Sequence, residues 1–224
     1  MDREKVEALK KKFIPSLKSL KSVEEDSEIA LVFRENGEVE VLKEREFVPE
    51  KDTLTALYLS PSELKALSPE EIFERFISSL KRNFPLEEEL SLKAQDVFGF
   101  EPDRERLYVD DKRVVYLADN SYTLDPFFLT AEDFLDSGSD YACFLLDVAE
   151  FMREVEKCLG REVKVIEDGK EIDLDGIEEL GNAILDALES NDPEKVAEII
   201  REFVGESAAE RYLEENGWDS SPGL

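Results

Sequence analysis

The chain has 224 residues, 56 acidic and 28 basic side chains, a formal net charge of −28 and no histidine. Such a charge argues against non-specific DNA or RNA binding, where Lys and Arg must neutralise phosphates, and against docking on anionic membranes; it favours a partner with a basic surface. The missing histidine removes Ser-His-Asp and Cys-His nucleophile activation, imidazole acid–base work and histidine-bound zinc.

Hydrophobic residues make up 42% of the chain, enough for a sizeable core. Glu outnumbers Asp 37 to 19, with 16 Lys and one glutamine, Gln95. That bias matches thermophile proteins. No run of 18 apolar residues is present, so no membrane span is expected. Residues 1–22 lack an uninterrupted apolar stretch, so no signal peptide is expected and the cytoplasm is the default location. Cys143 and Cys158 are expected on one helix, about 22 Å apart, too far for a disulfide. Both read as reduced and mostly buried.

The first element is a helix over Asp2 to Leu20. Val6, Leu9, Phe13, Leu17 and Leu20 recur at three- and four-residue steps, with Pro15 set to kink or split it. Residues 2–21 hold seven bases against three acids, a basic helix that can dock on an acidic body, its own or a second copy's. Ile29–Phe33 and Val39–Leu42 flank Asn36-Gly37 and predict a hairpin. A third strand follows at Leu54–Leu59. Ser60-Pro61-Ser62-Glu63 and Ser68-Pro69-Glu70-Glu71 are helix-start signals. The second of these opens a longer helix ending near Phe84-Pro85.

Residues 86–103 read as a connector of one helical turn and a linker. A second hairpin is expected over Arg106–Val109 and Arg113–Leu117, then a strand over Leu124–Leu129. Thr130 caps a helix that Asp136-Ser137-Gly138-Ser139 interrupts and Gly160 ends. Thr53 to Ser60 and Thr123 to Thr130 share three identities in eight positions, and similar elements flank each. This order points to an internal duplication.

The remaining chain predicts a hairpin around Asp168-Gly169, helices over Gly176–Leu188 and Pro193–Val204, a last short helix, and disorder after Trp218. Residues 162–224 carry 19 acids and 5 bases.

The expected fold class is α+β. It comprises two related βββα-type units (antiparallel hairpin, third strand, helix), an N-terminal helix, and a mainly helical C-terminal region preceded by a short hairpin. The expected domains are 1–85, a connector at 86–103, 104–160, 161–217 and a tail at 218–224.

No dinucleotide or P-loop signature is present, two cysteines cannot build a four-thiolate site, and no cofactor is expected. Asp168 to Gly176 imitates the opening of an EF-hand loop, but its eighth and twelfth positions are Glu178 and Asn182. A hairpin and an Asp helix cap account for the same letters. Carboxylate pairs such as Asp110-Asp111, Asp173/Asp175 and Glu178-Glu179 arise by number alone among 56 acids.

The element order of residues 1–160, with the low pI, resembles the small acidic type III secretion chaperone-like fold, without a shared motif. That resemblance implies a homodimer with an apolar groove. The functional expectation is a non-enzymatic, chaperone- or adaptor-like acidic protein that binds a basic or partly unfolded protein partner. The candidate partner-binding residues are Glu178, Glu179, Asp186, Glu189, Glu194, Glu198 and Glu202. The alternatives are a nucleic-acid mimic that blocks a DNA- or RNA-binding protein, and a carboxylate-only metal-dependent hydrolase.

Overall fold

The computed structural model describes residues 1–20, 27–100, 105–118, 124 and 128–216. The fold is α+β, with a three-stranded sheet in order β2-β1-β3 and a four-stranded sheet in order β4-β5-β6-β7. The strands are β1 Ile29–Arg34, β2 Val39–Lys43, β3 Thr53–Leu59, β4 Glu105–Val109, β5 Arg113–Ala118, β6 Glu162–Glu167 and β7 Lys170–Ile172. Two compact units divide the chain. Unit 1 holds Met1–Asp96, Glu105–Leu117 and Arg161–Val163; unit 2 holds Val97–Arg104, Ala118–Gly160 and Lys164–Leu224.

In unit 1, α1 (Arg3–Lys18) starts where the Asp2 side chain accepts from the Lys5 N–H at 2.8 Å. It runs unbroken through Pro15, against expectation. Pro15 lies on the exposed side, so its ring meets solvent, and one missing hydrogen bond is offset by burial of Phe13 and Leu17 on the other side. The basic helix thus docks on its own unit through apolar residues. The Phe13 ring lies 5.4 Å from Phe33 and 5.0 Å from Phe76, and Phe33 stacks on Phe76 at 4.2 Å.

The β1–β2 turn is a three-residue loop with a bulge rather than a two-residue turn. The Gly37 N–H donates to the Arg34 carbonyl and the Arg34 N–H to the Glu38 carbonyl. Gly37 alone in this loop has a positive φ, 96°. A Cβ there would also lie 2.8 Å from Lys12 Cγ. Strand β1 is buried on both faces: Ile29, Leu31 and Phe33 join the aromatic core, while Ala30 and Val32 are covered on the other side.

Helix α2 (Pro61–Ala66) begins with the full capping box at Ser60 and Glu63. Helix α3 spans Pro69–Phe98 and continues thirteen residues beyond the expected stop at Pro85. Again the proline faces solvent, and Leu80, Asn83, Leu90 and Ala94 carry one buried stripe past it. The expected helical turn and linker over 86–98 are therefore helix. The β4–β5 hairpin closes with the Asp110 N–H donating to the Arg113 carbonyl at 3.0 Å.

Unit 2 is mainly helical. Helix α4 (Ala131–Leu159) is continuous; the expected interruption at 136–139 does not occur. Phe134, Gly138, Tyr141, Ala142 and Leu145 form one buried stripe through that segment, so packing overrides its turn-forming composition. Cys143 and Cys158 share α4 as expected, yet both are exposed rather than buried. At about 100° per residue, Cys143 lies about 200° round the helix from buried Leu145.

Asp168 and Gly169, with φ of 48° and 74°, make the two-residue turn between β6 and β7. Helices α5 (Leu174–Glu189) and α6 (Pro193–Phe203) start at Asp173 and Asp192 caps, and α7 spans Glu206–Glu215. Gly181 brings α5 hard against α4: a Cβ there would sit 3.0 Å from Leu146 Cγ and 3.1 Å from the Ala142 carbonyl oxygen.

Half of the strand expected at Leu124–Leu129, which carries the proposed duplication, lies outside the described residues, as does the tail after Trp218. Of that stretch, Leu124 and Phe128 are buried, Leu129 is exposed, and Thr130 caps α4 as Ser60 caps α2. The α2–α3 break has no counterpart in α4.

Candidate functional site

The acidic residues singled out from sequence all fall in unit 2. On α5, Ile177, Gly181, Ile184 and Ala187 are buried, which turns Glu179, Asp186 and Glu189 to solvent on the opposite side. On α6, burial of Val196, Ala197 and Ile200 does the same for Glu194, Glu198 and Glu202. Glu179 and Asp186 are two turns apart, about 10.5 Å along the helix, and the α6 carboxylates repeat every 6 Å or so. The two helices pack on each other. These six carboxylates have no base opposite them among the described residues.

Glu178 differs from the other six. It is half-buried and pairs with Arg153 of α4 at 2.8 Å, and Asp175 holds the same guanidinium. The two carboxylates keep Arg153 above its ordinary pKa, the Asp175 hydrogen bond being the larger cause.

The EF-hand imitation separates into three unrelated jobs. Glu171 pairs with Lys164 at 2.9 Å, Asp173 accepts from the Asp175 N–H at the start of α5, and Asp175 pairs with Arg153. Among the described residues no group of three or more Asp, Glu or Cys side chains is placed to hold a metal ion. No helix among them is long and apolar enough to cross a membrane.

Unit 1 contains a polar centre that the sequence did not signal. The Asp110 side chain is wholly buried and Arg113 nearly so. One Asp110 oxygen accepts from the backbone N–H groups of Lys112 and Arg113 at 2.8 and 2.9 Å, the local turn habit of aspartate. The other accepts from the hydroxyls of Tyr58 at 2.5 Å and Tyr108 at 3.1 Å. Arg113 donates through Nε and Nη2 to the Tyr58 oxygen at 3.0 and 2.9 Å, and lies over the Phe47 ring. Burial, then the Asp110 charge, raises both phenols far above their ordinary range. They therefore stay protonated and serve as hydrogen-bond donors.

Beside this centre a hollow of about 480 Å³ is lined by Tyr58, Glu71, Glu74, Arg75, Arg82 and Asp111 among others. Its carboxylates are partly committed. Glu71 closes the Ser68 cap, and Asp111 accepts from Arg82 at 2.6 Å and Asn83 at 2.7 Å. Despite desolvation, those two partners hold Asp111 below the usual carboxylate range. The parts of this centre come from positions 47, 58, 82, 108 and 110–113, with no shared local spacing that sequence reading could detect.

No family model, curated protein or solved structure matches the chain. The likeness to the secretion-chaperone fold, read from element order and low pI, gains no support from these comparisons.

Proposed function

We propose that the chain is a non-enzymatic interaction protein that binds a basic protein surface through the outward faces of α5 and α6. The observation behind this reading is the set of six exposed carboxylates, Glu179, Asp186, Glu189, Glu194, Glu198 and Glu202, left without a base opposite among the described residues. Lys195 and Arg201 share the exposed side of α6, yet among the described residues neither pairs with any of the six. A merely solubilising surface would satisfy many charges locally. Unit 1 illustrates that pattern: Arg34 alone engages Glu40, Glu50 and Asp52. Of the large exposed apolar residues among the described residues, Phe84, Leu92 and Val97 lie on α3 and Leu135 on α4, and none lies on α5 or α6. This favours a charge-led contact over a broad apolar groove of the chaperone kind.

The test is retention of defined basic proteins on the immobilised full chain at about 50 mM and about 500 mM salt. Retention should fall with salt, and should also fall when Glu179, Asp186, Glu194 and Glu198 are replaced by Gln or Asn. Equal retention by the neutralised variant sinks the reading.

The regular four-residue repeat on α6 supports a second reading, a mimic of a phosphate row. In that case the chain competes with DNA for a DNA-binding protein.

A further inference from the structure

A hollow of about 400 Å³ lies on unit 2 between α4 and α5. Its floor is Leu146 and Ala149, and its rim includes Glu150, Arg153, Glu154 and Glu178. Two contacts bound it. At one end Gly181 brings α5 against Leu146. At the other, Arg153 reaches across to Asp175 and Glu178. Between them stands Ala149, whose small side chain leaves the gap open. Leu146, Ala149 and Arg153 are successive positions on one side of α4.

The charge around this apolar floor is unbalanced. Arg153 is already neutralised by its two carboxylates. That leaves Glu150 and Glu154 with Lys157 on the rim. Exposed Asp147 on α4 and Glu179 on α5 extend the acidic surroundings.

We propose that the hollow is the anchor point of the acidic face: it takes one aliphatic side chain of a basic amphipathic helix, whose Lys and Arg residues lie against Glu150 and Glu154. This rests on the interaction reading above and adds a named pocket to it. The chemistry selects the occupant. An apolar floor asks for a buried aliphatic group and an acidic rim asks for flanking cations, and a basic amphipathic helix offers both at fixed spacing. A nucleic acid supplies neither. A second copy's basic helix α1 does not qualify, because its apolar residues Phe13 and Leu17 are committed to the core of unit 1.

The experiment titrates the full-length chain with two labelled synthetic helices of about 14 residues, following binding by fluorescence anisotropy in about 150 mM salt. One helix has a Leu stripe and a Lys face; in the other, Ser replaces every Leu at equal charge. The Leu/Lys helix should bind about tenfold tighter than the Ser/Lys helix, the effect of burying one leucine. Ala149→Met, which fills the floor, should erase that preference and leave Ser/Lys binding unchanged. Glu150→Trp, at an exposed position, should also erase the preference by covering the hollow, and should weaken binding of both helices because one rim carboxylate is lost; it decides the matter if the buried substitution disturbs folding. Equal affinity for both helices in the parent chain, or a preference that survives both substitutions, overturns the pocket and leaves the acidic-face reading standing. No binding of either helix overturns both.

Discussion

Tyr58 on β3 and Arg113 on β5 stand 55 residues apart in the chain, yet the phenol oxygen accepts two hydrogen bonds from one guanidinium while its own proton goes to Asp110. This joins the edge of one sheet to the hairpin of another inside unit 1. Every member depends on the others, because a buried charge is tolerable only while its partner is present.

Arg113→Met should therefore destabilise the chain by about 3–5 kcal/mol, since it leaves the Asp110 carboxylate buried without a cation. Tyr58→Phe, which removes a bridging hydroxyl, should cost about 1–3 kcal/mol. The double substitution Asp110→Asn with Arg113→Met should cost less than the sum of its parts, because no charge then remains buried. Urea unfolding of the parent, Tyr58→Phe, the single variants Asp110→Asn and Arg113→Met, and their double variant measures this. Additive losses, or a loss below about 1 kcal/mol for Arg113→Met, contradict a coupled centre.

The same centre sets the alkaline limit of stability. Tyr58 and Tyr108 have folded pKa values raised above those of the unfolded chain. Their contribution is complete below the ordinary phenol value, about 10, and is lost as pH rises beyond it. Absorbance of tyrosinate should show these two phenols ionising only together with unfolding. Tyr58→Phe should flatten part of the alkaline decline. On the acid side the sign reverses for Asp111, whose folded pKa is depressed. Its contribution is present above about 3.9 and fades as pH falls below it.

Sequence periodicity and cap chemistry were enough to place most strands, the Ser60 and Thr130 caps and the Gly160 stop. These are local properties: a side chain reaching its own backbone, or a stripe recurring on one face. The misjudged sites were those where packing outweighs local preference. Pro15, Pro85 and the Asp136–Ser139 stretch all lie inside helices whose opposite faces are deeply buried. Cys143 and Cys158 failed for the converse reason, since a buried habit says nothing about which side of a helix a residue occupies. The acidic faces of α5 and α6 were legible because helical spacing is local. The Tyr58–Asp110–Arg113 centre was not, because it assembles only after strand β3 meets the distant β4–β5 hairpin.

Gly181 is the tightest test of the α4–α5 packing. Alanine normally gains about 1 kcal/mol over glycine inside a helix. Here its Cβ would meet Leu146 at 3.0 Å and the Ala142 carbonyl at 3.1 Å, and a backbone oxygen cannot rotate away. Gly181→Ala should therefore destabilise, by about 1–3 kcal/mol from overpacking, despite the gain in helix propensity. A stabilised variant in thermal unfolding shows that the helices can separate at little cost, and weakens the hollow that this contact bounds.

The acidic face makes a prediction in which function and stability part company. Six like charges on two adjacent helices repel one another, so they lower stability at low ionic strength. Raising salt from about 10 mM to about 500 mM shortens the Debye length from about 30 Å to under 5 Å and should raise the melting temperature. Replacing Glu179, Asp186, Glu194 and Glu198 with Gln or Asn should produce part of that rise at low salt, and should blunt the further response to salt. The same variant should lose retention of basic proteins. A residue set kept only for solubility would show the stability gain without loss of binding. A set needed for folding would show a lower melting temperature. Only a binding face gives a more stable protein that binds less.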